Sequence, residues 1–253
     1  MKSRLVVIFN LLFFFCGRAF AVTIPKQLSK EDRVAVVKML GLTTSTKLLT
    51  NPFPLGGYSG FEVGLSLELI DIKELNQLGA GTPDGDQELR YARLTVGKGL
   101  YNNLDLFLHA APMTAGSEMT SFGGAVRYSF YEARFLPVNM ALLMHADHIN
   151  INNDFESTAL GADLVAGIYV NQFSLYFGVG QLRATGTFIG GNNTNGTVDP
   201  SDPQLGTSNT VSHTVTQTHN YLGLTIHFED LFAAAQIDRY PDTTYSARVG
   251  LRF

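Results

Sequence analysis

Two groupings in this 253-residue chain bring carboxylates and imidazoles close enough to do chemistry. Asp84-Gly-Asp86, followed by Glu88, offers three carboxylates, and His145-Ala-Asp147-His148 sets an acid between two imidazoles. Carboxylates and imidazoles are the residue types of general acid–base chemistry, and several hard oxygens can hold Ca2+. Asp199 and Asp202 offer further oxygens. Neither acidic run matches a defined calcium loop, and a Gly-Asp turn accounts for Asp84 and Asp86 without a ligand. No catalytic residue, metal ligand or cofactor is therefore assigned. The single cysteine, Cys16, lies in an N-terminal leader, so the rest of the chain has no thiol for a disulfide, a metal or a nucleophile. A net charge of −4 is mild, and nucleic acid is not an expected partner.

The elements that must position these residues follow a period of two. Along 243–253, Tyr245, Ala247, Val249, Leu251 and Phe253 fall on one face, and Thr244, Ser246, Arg248, Gly250 and Arg252 on the other. An alternating strand that ends on Phe253, in a chain with a secretory leader, resembles the closing strand of Gram-negative outer-membrane β-barrels. The resemblance implies that Tyr245, Val249, Leu251 and Phe253 form the signal read by the barrel-assembly machinery. It also implies outer-membrane lipid and lipopolysaccharide as surroundings.

The leader is residues 1–21: Lys2 and Arg4, an apolar run, then Ala19-Phe20-Ala21 as a small-x-small cleavage site. Its apolar run is too short to cross a bilayer core of roughly 30 Å. Roughly 230 residues remain, enough for one mid-sized barrel. Residues 22–56 form a distinct segment. Ser29-Lys-Glu-Asp32 has the form of a capping box, and a short helix over 33–41 should stop at Gly41. Val36, Met39 and Leu40 share one face of it. The simpler placement is a lead-in helix on the periplasmic rim, and the alternative is a plug in the lumen. Pro52, Pro54 and Gly56-Gly57 then break the chain.

Residues 57–253 carry ten alternating segments: 60–72, 88–100, 104–112, 121–131, 138–150, 158–170, 173–187, 215–228, 231–240 and the last, 243–253. Each is near the roughly 9–11 residues of a tilted spanning strand. The expected fold is an all-β, transmembrane, antiparallel up-and-down barrel of about ten strands with a short N-terminal helix. Connections alternate short and long, with 151–157 among the long ones and 241–242 a short exception. That places turns on the periplasmic side, and an even strand count places both termini there too. A monomer is expected.

Taken literally, the alternation turns Glu62, Glu68, Arg93, Asp105, His109, Arg127, His145, Asp147, Asp163, His219, His227, Asp238, Arg248 and Arg252 inward. Enclosed charges must be paired to offset their desolvation. The turns put Asp163 opposite Gly180, His145 opposite Asp163, and Asp238 opposite Tyr221 and diagonal to Arg248. A ten-stranded barrel is close to the size that side chains can fill.

The function expected first is thus a small porin-like or structural barrel with a narrow charge-lined lumen. A surface adhesion barrel acting through its loops, above all 189–214, is the alternative. The omptin proteases, ten-stranded barrels with an Asp pair facing an Asp-His pair, are a more distant resemblance. It is carried by Asp84, Asp86, His145 and Asp147, although here the histidine precedes the aspartate. No serine with a neighbouring outward histidine supports a lipid-modifying barrel.

Overall fold

The computed structural model describes residues 22–82, 88–111, 119–133, 135–189, 210–240 and 242–253. Ten strands close on themselves: β1 (Phe61–Asp71), β2 (Glu88–Tyr101), β3 (Leu104–Ala111), β4 (Met119–Glu132), β5 (Val138–Ile151), β6 (Phe155–Val170), β7 (Phe173–Ile189), β8 (Thr210–Phe228), β9 (Leu231–Arg239) and β10 (Thr243–Arg252). Each pairs antiparallel with its sequence neighbour, and β1 closes on β10 from Glu62↔Arg252 to Ile70↔Thr244. Alternating apolar residues point outward, with Phe122 59%, Leu160 57% and Leu222 50% exposed, while the charges between them are buried. That inversion suits a wall surrounded by lipid. No helix among the described residues is long and apolar enough to cross a membrane.

Barrel closure is sealed where Phe61 and Phe253 exchange backbone hydrogen bonds of 3.0 and 2.8 Å. At this end the turns are tight, and Asn171 and Glu229 adopt positive φ of 55° and 54°. The opposite end is less uniform than the loop alternation predicts. The expected long connection at 151–157 is a compact turn, because β6 begins at Phe155 and Asn152 and Asn153 both turn at φ 55°. Asn and Asp reach such backbone angles at lower cost than other side-chain-bearing residues. The β7–β8 hairpin is also longer than expected, running from Phe173↔Ile226 to Ile189↔Thr210. Its far part turns Thr185, Thr187, Ser212 and Thr214 outward, where their hydroxyls pair at 2.9 Å, so it stands clear of the apolar belt.

The N-terminal segment is inside the barrel, not on the rim. Ser29 accepts a 3.1 Å bond from the Asp32 amide and Asp32 accepts a 3.2 Å bond from the Ser29 amide, starting α1 (Lys30–Val36). The helix continues through a π-helical turn over Val37–Leu42, so Gly41 does not stop it. The missing side chain serves contact: a Cβ on Gly41 would lie 2.6 Å from Ser157 Oγ and 3.3 Å from Ala184 Cβ on the wall. Val36, Val37, Leu40 and Leu42 are buried with Phe155, Leu182, Ala184, Phe188 and Val215 at the end away from Phe253. From there residues 43–55 run down the lumen as a strap without regular structure. The chain turns out at Gly56 and Gly57, whose φ of 99° and 71° few other residues tolerate, and enters β1.

Val22, the first described residue, is consequently not on the same side as Phe253. The Val22 carbonyl accepts a 2.8 Å bond from Asn152 Nδ2 in the β5–β6 turn, whereas Phe253 closes the other end. An even number of strands does bring β1 and β10 together, but the strap adds one more crossing.

Candidate functional site

A strap in an enclosed lumen must find partners for its backbone groups, since neither helix nor sheet supplies them. The wall supplies them from strand charges. Arg93 on β2 donates to the Thr44 carbonyl at 2.7 Å and to that of Ser45 at 3.3 Å. Arg248 on β10 donates to the Leu48 carbonyl at 2.7 Å, and Arg127 on β4 to that of Asn51 at 2.6 Å. Arg252 donates to the carbonyls of Phe53 and Pro54, at 3.4 Å to the first. Amides are met by acids. Thr46 donates its N–H to Asp147 Oδ2 at 2.9 Å and its hydroxyl to Oδ1 at 2.6 Å. Leu55 N–H reaches Asp105 Oδ1 at 3.1 Å. Pro52 and Pro54 have no N–H to satisfy.

The same charges pair among themselves. Glu62 meets Arg248 at 3.0 Å, and Asp105 meets Arg127 at 2.8 Å. Glu68 is held by Lys47 of the strap at 2.8 Å, by Arg93 at 3.4 Å and by the Tyr91 hydroxyl at 2.7 Å. A second group forms a chain. His109 Nε2 lies 2.8 Å and His145 Nδ1 3.2 Å from Asp147, His145 Nε2 lies 3.5 Å from Asp163, and His219 Nε2 lies 2.8 Å from Asp163.

Much of the inward set thus meets the strap, and two of the expected pairings differ. Asp163 does face Gly180, and Asp238 faces Tyr221, but His145 lies opposite Gly161 because the β5–β6 turn is shorter than expected. It still reaches Asp163 diagonally. Asp238 does not meet Arg248: the β9–β10 register puts it opposite Thr244, and it accepts from Gln236 Nε2 at 2.8 Å instead. His227 stands apart, half-buried between the rings of Tyr169 and Phe232. Arg252 is also half-buried, at the closing end. Lys47 and Thr46 were not anticipated. The run of small polar residues over 43–46, without alternation or helical period, is the signal that could have marked a strap.

The groupings that open hydrolytic readings look different here. Asp84 and Asp86 lie outside the described residues, as do Asp199, Asp202 and the loop 190–209. Glu88 pairs with Arg90. Asp147 is covered by Thr46, His109 and His145, while His148 points outward against Phe122. On β10, Tyr245 and Val249 are exposed on the outer face and Leu251 is partly so, and Phe253 just beyond it is exposed too.

No protein-family model matches the sequence, and no curated protein matches it. Among solved structures the chain is similar to Ail, the attachment invasion locus protein of Yersinia pestis, at 13% identity and a TM-score of 0.30, covering 77% of this chain and 97% of that one. It is similar to the N-terminal β-barrel domain of Pseudomonas aeruginosa OprF at 13% and 0.32, covering 78% and 99%. It is likewise similar to the outer membrane protein OprG of Pseudomonas aeruginosa at 12% and 0.32, covering 81% and 99%. Likenesses at this level carry no functional argument. The architecture, read from its own closed sheet and inverted surface, is that of an outer-membrane β-barrel.

Proposed function

We propose that this protein is a small outer-membrane barrel with a narrow charge-lined lumen, closed by its own N-terminal segment and conducting small polar solutes when that segment withdraws. The observation that carries this reading is the chemistry of the strap. Its carbonyls are bound by arginine side chains, which water or a passing anion could take over once the segment withdraws. In this reading the Phe253 end faces the periplasm, the assembly machinery reads Tyr245, Val249, Leu251 and Phe253, and lipopolysaccharide surrounds the opposite rim as the monomer sits in the membrane. The β7–β8 hairpin, standing clear of the apolar belt, favours surface binding as a second role.

The test uses a lock. Gly41→Cys with Ala184→Cys would put two Cβ atoms slightly closer than the roughly 3.5–4.5 Å of a disulfide, since the ideal Cβ on Gly41 lies 3.3 Å from that of Ala184, so a small outward shift that also clears the Ser157 hydroxyl brings the pair into bonding range. With no cysteine after Cys16, the pair would be unique in the mature chain. Planar-bilayer recordings should show silence when the pair is oxidised, openings when it is reduced, and steady conductance when residues 22–48 are removed. Silence from the truncated barrel would leave a structural barrel and move attention to the hairpin.

A further inference from the structure

The histidine–carboxylate chain differs in kind from the rest of the lumen. Glu62, Glu68 and Asp105 are each paired with arginine or lysine, whereas Asp147 and Asp163 are paired with histidines. Two buried carboxylates held this way need two imidazolium charges, or one divalent ion, to offset their desolvation. The geometry around Asp163 favours the ion. Asp147 Oδ2 takes up His145 Nδ1 at 3.2 Å, which turns Nε2 toward Asp163, and this nitrogen has no hydrogen-bond partner among the described residues. His219 is fixed by stacking flat on Tyr240, centroids 4.9 Å apart and planes 6° apart, with Nε2 toward Asp163. The ligand atoms of His145, Asp163 and His219 lie within 4.8 Å of one another, and all three residues are buried.

Two glycines make room for them. Asp163, Gly180 and His219 face one another in a row across β6, β7 and β8. A Cβ on Gly180 would collide with Asp163 Oδ1, and one on Gly161 with His145 Nε2. The wall is thinned where the three side chains meet.

We propose that His145, Asp163 and His219 bind a divalent transition metal of the zinc class, with Asp147 holding His145 in the ligating orientation. Two imidazoles and one carboxylate suit zinc and its first-row neighbours, and disfavour calcium and magnesium. Bonds of about 2.0–2.1 Å in a tetrahedron keep ligand atoms about 3.4 Å apart, so metal entry would part His219 and Asp163 from 2.8 Å by about half an ångström and draw in any ligand atoms that lie further apart, up to the 4.8 Å that bounds the trio. A carboxylate on the far nitrogen of a ligating histidine is the usual arrangement. The site is independent of whether the lumen conducts.

The experiment refolds the full mature chain with Zn2+, removes excess metal by gel filtration and measures metal per chain, with Co2+ refolding in parallel. One zinc per chain and the intense visible bands of four-coordinate cobalt are expected. His219→Gln should abolish retention, and Asp147→Asn should weaken binding roughly 10- to 100-fold with all three ligands intact. Wild-type barrel that retains no zinc would overturn the proposal. So would undiminished retention in His219→Gln, which would assign the metal to ligands outside this trio. Should the variants not fold, the wild-type cobalt spectrum decides: weak octahedral bands would overturn the site.

Discussion

Arginine does work in this lumen that lysine could not. A guanidinium carries five donors in a rigid fork, so one side chain can serve a carboxylate and a backbone carbonyl together. Arg127 binds Asp105 and the Asn51 carbonyl, and Arg248 binds Glu62 and the Leu48 carbonyl. Arg127→Lys keeps the charge and loses this double reach. It should cost about 1–3 kcal/mol, measured as a lower urea midpoint in micelles. Asp105→Ala strands both Arg127 and the Leu55 amide and should cost more, about 3–5 kcal/mol. A smaller loss for Asp105→Ala than for Arg127→Lys would contradict this account. The inward residues themselves are legible from alternation. Their partners are not, because much of what they bind is backbone, and a carbonyl looks the same in every residue. Asp238 shows the other limit: its opposite neighbour Tyr221 follows from one turn, while contact with Arg248 depended on a diagonal that the β9–β10 register does not provide.

Among the elements, α1 is the one with its own local code. The capping box at Ser29 and Asp32 is readable in sequence and present in the structure. Ser29→Ala should remove about 1 kcal/mol from the helix, seen as faster amide exchange over 30–36 with unchanged barrel unfolding. Equal loss of protection in β7 would mean that helix and wall open as one unit. Gly41 shows why local code is not enough. A glycine after an apolar run reads as a stop, yet here it lets the helix approach Ser157 and Ala184. Gly41→Leu should push the helix off the wall and raise conductance in the bilayer assay, and an unchanged silent state would count against the gate. Strand starts shifted for a similar reason. Phe155 begins β6 early because it packs on Phe188 under the helix, with centroids 5.1 Å apart, a contact no single strand announces.

At the level of the whole molecule, the ten-stranded closed sheet was readable because wall and lumen impose one simple rule on each strand, while the course of the strap depends on what the finished enclosure offers. The end away from Phe253 carries an acidic trio. Half-buried Asp242 has its carboxyl pushed above its usual range by burial, and then by the nearby charges of Glu74 and Asp71. An acid raised in the folded state favours folding when protonated, so this contribution is present below its unfolded value near 3.8 and is lost as pH rises through the higher folded value. Asp242→Asn should therefore flatten that part of the stability–pH curve, and a parallel curve for the variant would remove the trio from the account. The strap has a topological consequence as well. Ten strands and one lumen passage make eleven crossings, and an odd number puts residue 22 and Phe253 at opposite ends of the barrel. A short epitope joined to residue 22 would emerge on the face opposite one joined to Phe253, whereas a bulky folded domain at residue 22 would have to be on the far side before the ring closed. The order in which this chain is joined to itself is thus constrained as firmly as its final shape.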